Sequence, residues 1–174
     1  NYQKALEFAH FYIVRNKLAL QEGPKKTIEL IKKLHFLLTD QLYKDTNIRP
    51  GEYRRHLKIL TDSAGNQSLQ QRVDKVLWGY ERDQFIKLFN ELPNKTRSSL
   101  TAEDINLLRK VFFVATMPED VEKEMLTFAE QLGTRLQNGG DFIDHAAFAH
   151  AELTRISAFQ TGVGRLARII LNAI

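Results

Sequence analysis

Hydrophobic positions recur along most of this chain at the three- and four-residue spacing of an amphipathic helix. Over residues 5–20 the apolar positions Leu6, Phe8, Ala9, Tyr12, Ile13 and Leu20 follow that spacing, and Gly23-Pro24 ends the helix they predict. A second helix is predicted over about 27–43, with Thr27 as N-cap and Ile28, Ile31, Leu34, His35 and Leu38 on one stripe. The pattern then changes. Pro50-Gly51 is a turn signal, polar or charged residues alternate with Leu57 and Ile59 over 56–61, and Asp62-Ser63-Ala64-Gly65-Asn66 offers a turn before 67–69. This predicts a short β-hairpin. Helical spacing resumes over about 70–92, over 101–116 behind the capped start Thr101-Ala102-Glu103-Asp104, and from Pro118 towards Gln137. Asn138-Gly139-Gly140 breaks the last of these. A helix over 141–156, with Phe142, Ala146, Ala149, Leu153 and Ile156 inward, is joined by the loop 157–163 to a final helix over 164–174. The expected architecture is mainly α, a helical bundle with one short β-hairpin, in a single domain over 1–174.

Composition narrows the chemistry. The chain has 174 residues, 43% of them apolar and 26% charged, as a globular domain has. It contains no cysteine, which excludes a disulfide scaffold, a Cys-ligated zinc site, an iron–sulfur cluster and thiol catalysis. Lys and Arg number 25 against 21 Asp and Glu, and a net charge of +4 does not by itself indicate nucleic acid or membrane. There is neither a helix-turn-helix spacing with a basic recognition face nor an uncharged apolar run of the ~20 residues a membrane span needs. Neither a nucleic-acid nor a membrane partner is therefore expected. With no signal peptide recognised, the expected location is cytoplasmic or, after delivery, another cell's cytosol. The chain starts without Met and ends inside a predicted helix, as a fragment of a longer protein does.

The segment 157–168 carries the most specific pattern. Ser157-Ala158-Phe159-Gln160-Thr161-Gly162-Val163-Gly164 leads into a helix beginning Arg165-Leu166-Ala167-Arg168. Two glycines let the loop approach a ligand, and the new helix presents unpaired N–H groups with a partial positive charge. Arg165 and Arg168, three residues apart, share one helix face. Together these make an anion or phosphate site. The alternative is an ordinary inter-helix loop whose arginines pair with surface carboxylates.

The run from His150 to Arg168 resembles the Fic family signature H-x-F-x-[D/E]-G-N-G-R-x-x-R. Upstream, residues 27–38 followed by Pro50-Gly51-Glu52-Tyr53-Arg54 are similar to that family's helix and P-G-x-Y-R turn, which leads into a β-hairpin flap. The likeness runs from about residue 20 to the C-terminus. It implies a Fic-like bundle related to enzymes that transfer AMP from ATP to a hydroxyl of a target protein. The departures bear on activity. Ser157 stands at the catalytic histidine position, Thr161 at the acidic magnesium-holding position and Val163 at the phosphate-contacting asparagine. A serine hydroxyl has no useful basicity near neutral pH, and losing a positioned base costs ~10²–10⁴ in rate. Phe159 is kept as the loop anchor, with Gly162, Gly164, Arg165 and Arg168 as nucleotide- or phosphate-binding residues. The resemblance thus implies a catalytically impaired protein that binds ATP or a protein partner, with magnesium disfavoured. The alternative is an active nucleotidyl- or phospho-group transferase of altered chemistry.

Two further features follow from the same resemblance. Many Fic proteins carry an inhibitory helix ending [S/T]-x-x-x-E-[G/N]. Residues 1–23 would be that helix, with Glu22-Gly23 matching, Leu18 in place of the hydroxyl residue, and Glu22 pairing with Arg168. Otherwise Glu22 pairs with Lys25 or Lys26. Residues 51–69 would be the flap that holds the target chain by β-augmentation, with Arg54, Arg55 and Lys58 facing it. Otherwise these cations are a solvated strand face. Among the histidines, His150 lies seven residues before Ser157 and His145 farther still, while His35 on its apolar stripe reads as a satisfied core residue.

Overall fold

The computed structural model describes residues 1–15, 19–40, 49–60, 69–92, 95 and 99–174. In chain order the elements are α1 (Tyr2–Ala9), α2 (Pro24–Thr39), β1 (Ile59–Leu60), α3 (Leu69–Val76), α4 (Gly79–Glu91), α5 (Ala102–Val111), β2 (Phe113–Val114), α6 (Val121–Gln137), α7 (Phe142–Ile156) and α8 (Val163–Ala173). The fold class is mainly α, as the hydrophobic spacing predicts, with one small antiparallel sheet among the described residues. The chain forms two compact units, one of Asn1–Arg55 with Thr116–Ile174 and one of His56–Ala115. No helix among the described residues is long and apolar enough to cross a membrane.

In the first unit, the helix expected over 5–20 changes character along its length. It passes from α1 into a π-helical turn, His10–Val14, and a 3-10 turn, Ala19–Gln21, precedes Gly23. Glycine and proline then set the start of α2 ahead of its expected N-cap. Gly23 takes φ +116°, and Pro24 sits at the first helical position, where its missing N–H costs nothing. Thr27 is inside the first turn, donating its hydroxyl to the carbonyls of Leu20 at 3.2 Å and Gly23 at 3.3 Å. The far end, expected to reach residue 43, is helical to Thr39; residues 41–48 lie outside the described ones.

The core of this unit joins Leu34 and Leu38 of α2, Met125 and Phe128 of α6, Leu153 of α7 and Leu166 of α8. Asp141 caps α7, its carboxylate accepting from the Ile143 N–H at 2.8 Å. Phe142, expected to face inward, is 64% exposed at the first helical position, and His145 takes the buried place one turn on.

In the second unit, β1 pairs antiparallel with β2, Ile59 opposite Val114 and Leu60 opposite Phe113. The second arm expected for a local hairpin falls on residues 67 and 68, outside the described ones, and on Leu69, which opens α3. The helix expected over 101–116 stops at Val111 because Phe112-Phe113-Val114 is an aromatic and β-branched run suited to a strand. The single helix expected over 70–92 is two. Leu77 turns inward, Trp78 is extended and exposed, and Gly79 supplies φ +52° to start α4.

Candidate functional site

α7 ends at Ser157, which adopts φ 47° and ψ 51° and donates its N–H to the Leu153 carbonyl at 3.0 Å. It is the one non-glycine residue with positive φ among those described, and it is 1% exposed. Phe159 is buried as its anchoring role requires, and its ring lies flat on His35, with centroids 3.9 Å apart and planes 8° apart. The His35 imidazole joins three segments. Its Nδ1 accepts from the Gly51 N–H at 2.9 Å, and its Nε2 lies 2.9 Å from the Thr161 carbonyl oxygen. A backbone N–H only donates and a carbonyl only accepts, so the ring is neutral and carries its proton on Nε2. His35 was expected to be a satisfied core residue; its bond to the loop had no signal in the local pattern.

Arg54 backs the loop from the other side. Its Nε donates to the Ser157 carbonyl at 2.7 Å, and one Nη donates to the carbonyls of Ile156 at 3.3 Å and of Thr116. Its own N–H donates to the Ala158 carbonyl at 2.9 Å. A buried guanidinium thus covers the end of α7, where carbonyls lack helical partners and the macrodipole is negative. Burial pushes the Arg54 pKa down, against the opposing pull of Glu119, yet an arginine stays charged. This corrects the expectation for Arg54. At 5% exposure it is not on an exposed face of the flap. Arg55 is exposed, 4.0 Å from Glu52, and Lys58 is half-buried. Tyr53 packs beside Phe159 at 5.6 Å with the Lys32 ammonium 4.1 Å over its ring. Burial first, and Glu122 second, push the Tyr53 phenol up.

The front of the loop is built differently. Gly162 takes φ +75°, a conformation that favours glycine, and a Cβ there would stand 3.1 Å from the Thr39 methyl, a tight contact. Nothing lies within 4 Å of where a Gly164 Cβ would be. α8 starts with no side-chain cap and no acidic residue in its first turn. Arg165 is half-buried and Arg168 exposed, and neither makes an ion pair among the described residues. Arg155 on α7, by contrast, holds Glu124 at 2.5 Å and Glu152 at 2.8 Å. The arginines at the loop are therefore not taken up by surface carboxylates of the described residues.

The substituted positions bring no charged side chain to the loop. Thr161 offers a neutral hydroxyl where magnesium prefers a carboxylate, and Val163, 7% exposed, offers no side-chain donor. Among the described residues no group of three or more His, Asp or Glu side chains forms a metal cluster. Residues 157–164 include no Asp or Glu. Glu22 is exposed directly ahead of Gly23, and Leu18 lies outside the described residues. A groove of 680 Å³ between α4 and α5, lined by residues such as Lys87, Leu88 and Leu107, contains none of the loop residues. Lys110 and Glu81 on its wall form an ion pair at 2.6 Å.

A sequence model of the Fic/DOC family matches residues 26–174. No curated protein and no solved structure matches the chain. The matched span takes in α2, the turn before Arg54, the loop 157–162 and α8, and leaves residues 1–25 outside. Since that span is most of the chain, and the residues binding loop to scaffold lie within it, this chain belongs to the Fic/DOC family.

Proposed function

We propose that this protein binds the phosphates of an ATP-class nucleotide at the start of α8 and is impaired in passing the nucleotidyl group to a protein hydroxyl. Fic/DOC chemistry in general is nucleotidyl transfer of the AMPylation type; in this chain the binding half is kept. The observation that carries the reading is the pair Arg165 and Arg168, without ion pairs among the described residues, beside a helix start that no side chain caps. Charge-assisted hydrogen bonds contribute about 1.5–3 kcal/mol each, enough for two guanidinium groups and the free N–H groups to hold a phosphate chain. The transfer half lacks its groups. Ser157 is buried and has no basicity, and Thr161 and Val163 supply neither charge nor donor. The protein then acts as a nucleotide-binding or protein-interaction module. α1 packs against α8, which supports regulation from the N-terminal segment, with Glu22 competing against phosphate for Arg168.

Calorimetric titration of ATP, with and without magnesium, tests the binding half. Binding that does not need magnesium and weakens by at least about tenfold in Arg165→Ala is expected, a loss of roughly 1.4 kcal/mol. No binding by either the unaltered protein or Glu22→Gly sinks the assignment. Transfer is tested by the triple variant Ser157→His, Thr161→Asp, Val163→Asn with ATP labelled in its α-phosphate. Histidine tolerates the left-handed conformation of residue 157, and a folded triple variant should label protein where the unaltered chain does not. Labelling by the unaltered chain that disappears with Arg165→Ala would instead assign a transferase of altered chemistry.

A further inference from the structure

We propose that His35 is the positioning residue of the anion-binding loop. Its Nε2–H, by holding the Thr161 carbonyl, sets the left-handed turn at Gly162 and hence the direction in which α8 presents its N–H groups and Arg165. The inference rests on the phosphate-binding reading of that loop. It begins from the tautomer. Gly51 can only donate at Nδ1, so the single ring proton is on Nε2 and aimed at the Thr161 oxygen 2.9 Å away. That carbonyl belongs to the planar peptide whose other end is the Gly162 nitrogen, so fixing the oxygen fixes the plane from which Gly162 turns. Gly162 then closes the first turn of α8, its carbonyl accepting from the Leu166 N–H at 3.0 Å.

The imidazole is itself held rigidly. It is 0% exposed, Phe159 covers one ring face, and both ring nitrogens are hydrogen-bonded. A phenylalanine there would fill the same volume and still stack, but would leave a buried N–H and a carbonyl without their partner. The ring therefore does more than pack. It transmits the position of α2 and of the 50–54 turn to the peptide before Gly162, without touching the ligand.

Two variants separate positioning from packing. His35→Gln keeps an amide N–H near the Nε2 position and loses the acceptor for Gly51. His35→Asn keeps an acceptor near Nδ1 and cannot reach Thr161. Both remove the stacked ring, so a packing role treats them alike. Positioning through Thr161 predicts that Gln stays within about threefold of the unaltered ATP affinity and Asn loses about tenfold or more. Amide hydrogen exchange at Leu166, read without ligand, should be faster in Asn than in Gln. Equal affinity and equal exchange in the two variants overturn the proposal. Should the unaltered protein bind no ATP, the functional reading falls while the exchange comparison still decides this one. Should either variant fail to fold, nitrogen-15 spectra of the unaltered imidazole decide it. A slowly exchanging proton on Nε2 supports the proposal, and a proton on Nδ1 or rapid exchange at Nε2 ends it.

Discussion

The starts of α5 and α8 solve the same problem in opposite ways. At α5, Thr101 accepts from the Asp104 N–H at 3.1 Å and the Asp104 carboxylate accepts from the Thr101 N–H at 2.9 Å. Glu103 and Asp104 face the positive end of the dipole, and Arg109 and Lys110 the negative end. At α8 the N-cap is Gly162, the first turn holds no acid, and Arg165 sits where the dipole disfavours a cation. With glycine at the N-cap the missing side chain forgoes only about a few tenths of a kcal/mol, and the misplaced charge costs about 0.3–1 kcal/mol more. α8 is held along its length instead, by buried Leu166, Ala167, Ile169 and Ile170, and from behind its loop by His35 and Arg54. A helix start stabilised by its own side chains has nothing left to offer a ligand; one stabilised from elsewhere keeps its donors open. Departures from local rules of this kind concentrate where function resides.

The comparison breaks most violently if the support behind the loop is removed. Arg54→Ala leaves the carbonyls of Ser157, Ile156 and Thr116 without their buried donor. At about 1–3 kcal/mol for each unsatisfied group, the loss should reach ~3 kcal/mol or more, a large share of a typical domain's stability. Urea denaturation should show that loss, with ATP affinity falling alongside it. Arg54→Lys keeps the charge without the planar fork and should fall between. A loss under about 1 kcal/mol in Arg54→Ala would mean that α8 is not held from behind.

A smaller effect is expected at the closed start. Thr101→Ala removes the cap from α5 and should lower stability by about 1 kcal/mol in thermal denaturation. Its ATP titration should be unchanged. A fall in affinity there would show that the two helix starts are not independent and that the contrast between them is misdrawn.

How much of this was legible in sequence depends on how far apart the partners lie. The α5 cap is complete within four residues, and Gly162, Gly164, Arg165 and Arg168 form a short linear pattern, so both could be read directly. The bonds behind the loop span 126 residues for His35 and 103 for Arg54, and no local spacing encodes them. In the cluster Arg54-Arg55-His56-Lys58 nothing in composition separates the buried cation from its neighbours; the one clue was that Arg54 also ends the P-G-x-Y-R turn. β2 was hidden for a related reason. Phe113 and Val114 fit a helical stripe, and their strand partners lie some fifty residues away in sequence, so pairing alone could reveal them. Gly79 was a visible break in the 70–92 pattern, outweighed by apolar spacing on both sides of it.

The finest test converts one start into the other with a single residue. Gly164 has open space where a Cβ would go and no positive φ, so Gly164→Asp introduces no clash and no strained backbone. Replacing a glycine at a compatible site stabilises by about 0.4–1 kcal/mol, and an acid in the first turn adds about 0.3–1 kcal/mol. The melting temperature should therefore rise by a few degrees. The same carboxylate would stand beside Arg165 and repel a phosphate, so ATP affinity should fall. Gly164→Ala separates the two contributions, because it takes the backbone gain without the charge and should lose less affinity. Opposite signs from one carboxylate are what an anion-binding helix start requires. A helix that is merely badly capped would gain stability from the same carboxylate and show no change towards ATP, and that outcome would remove the reason for reading α8 as a site at all.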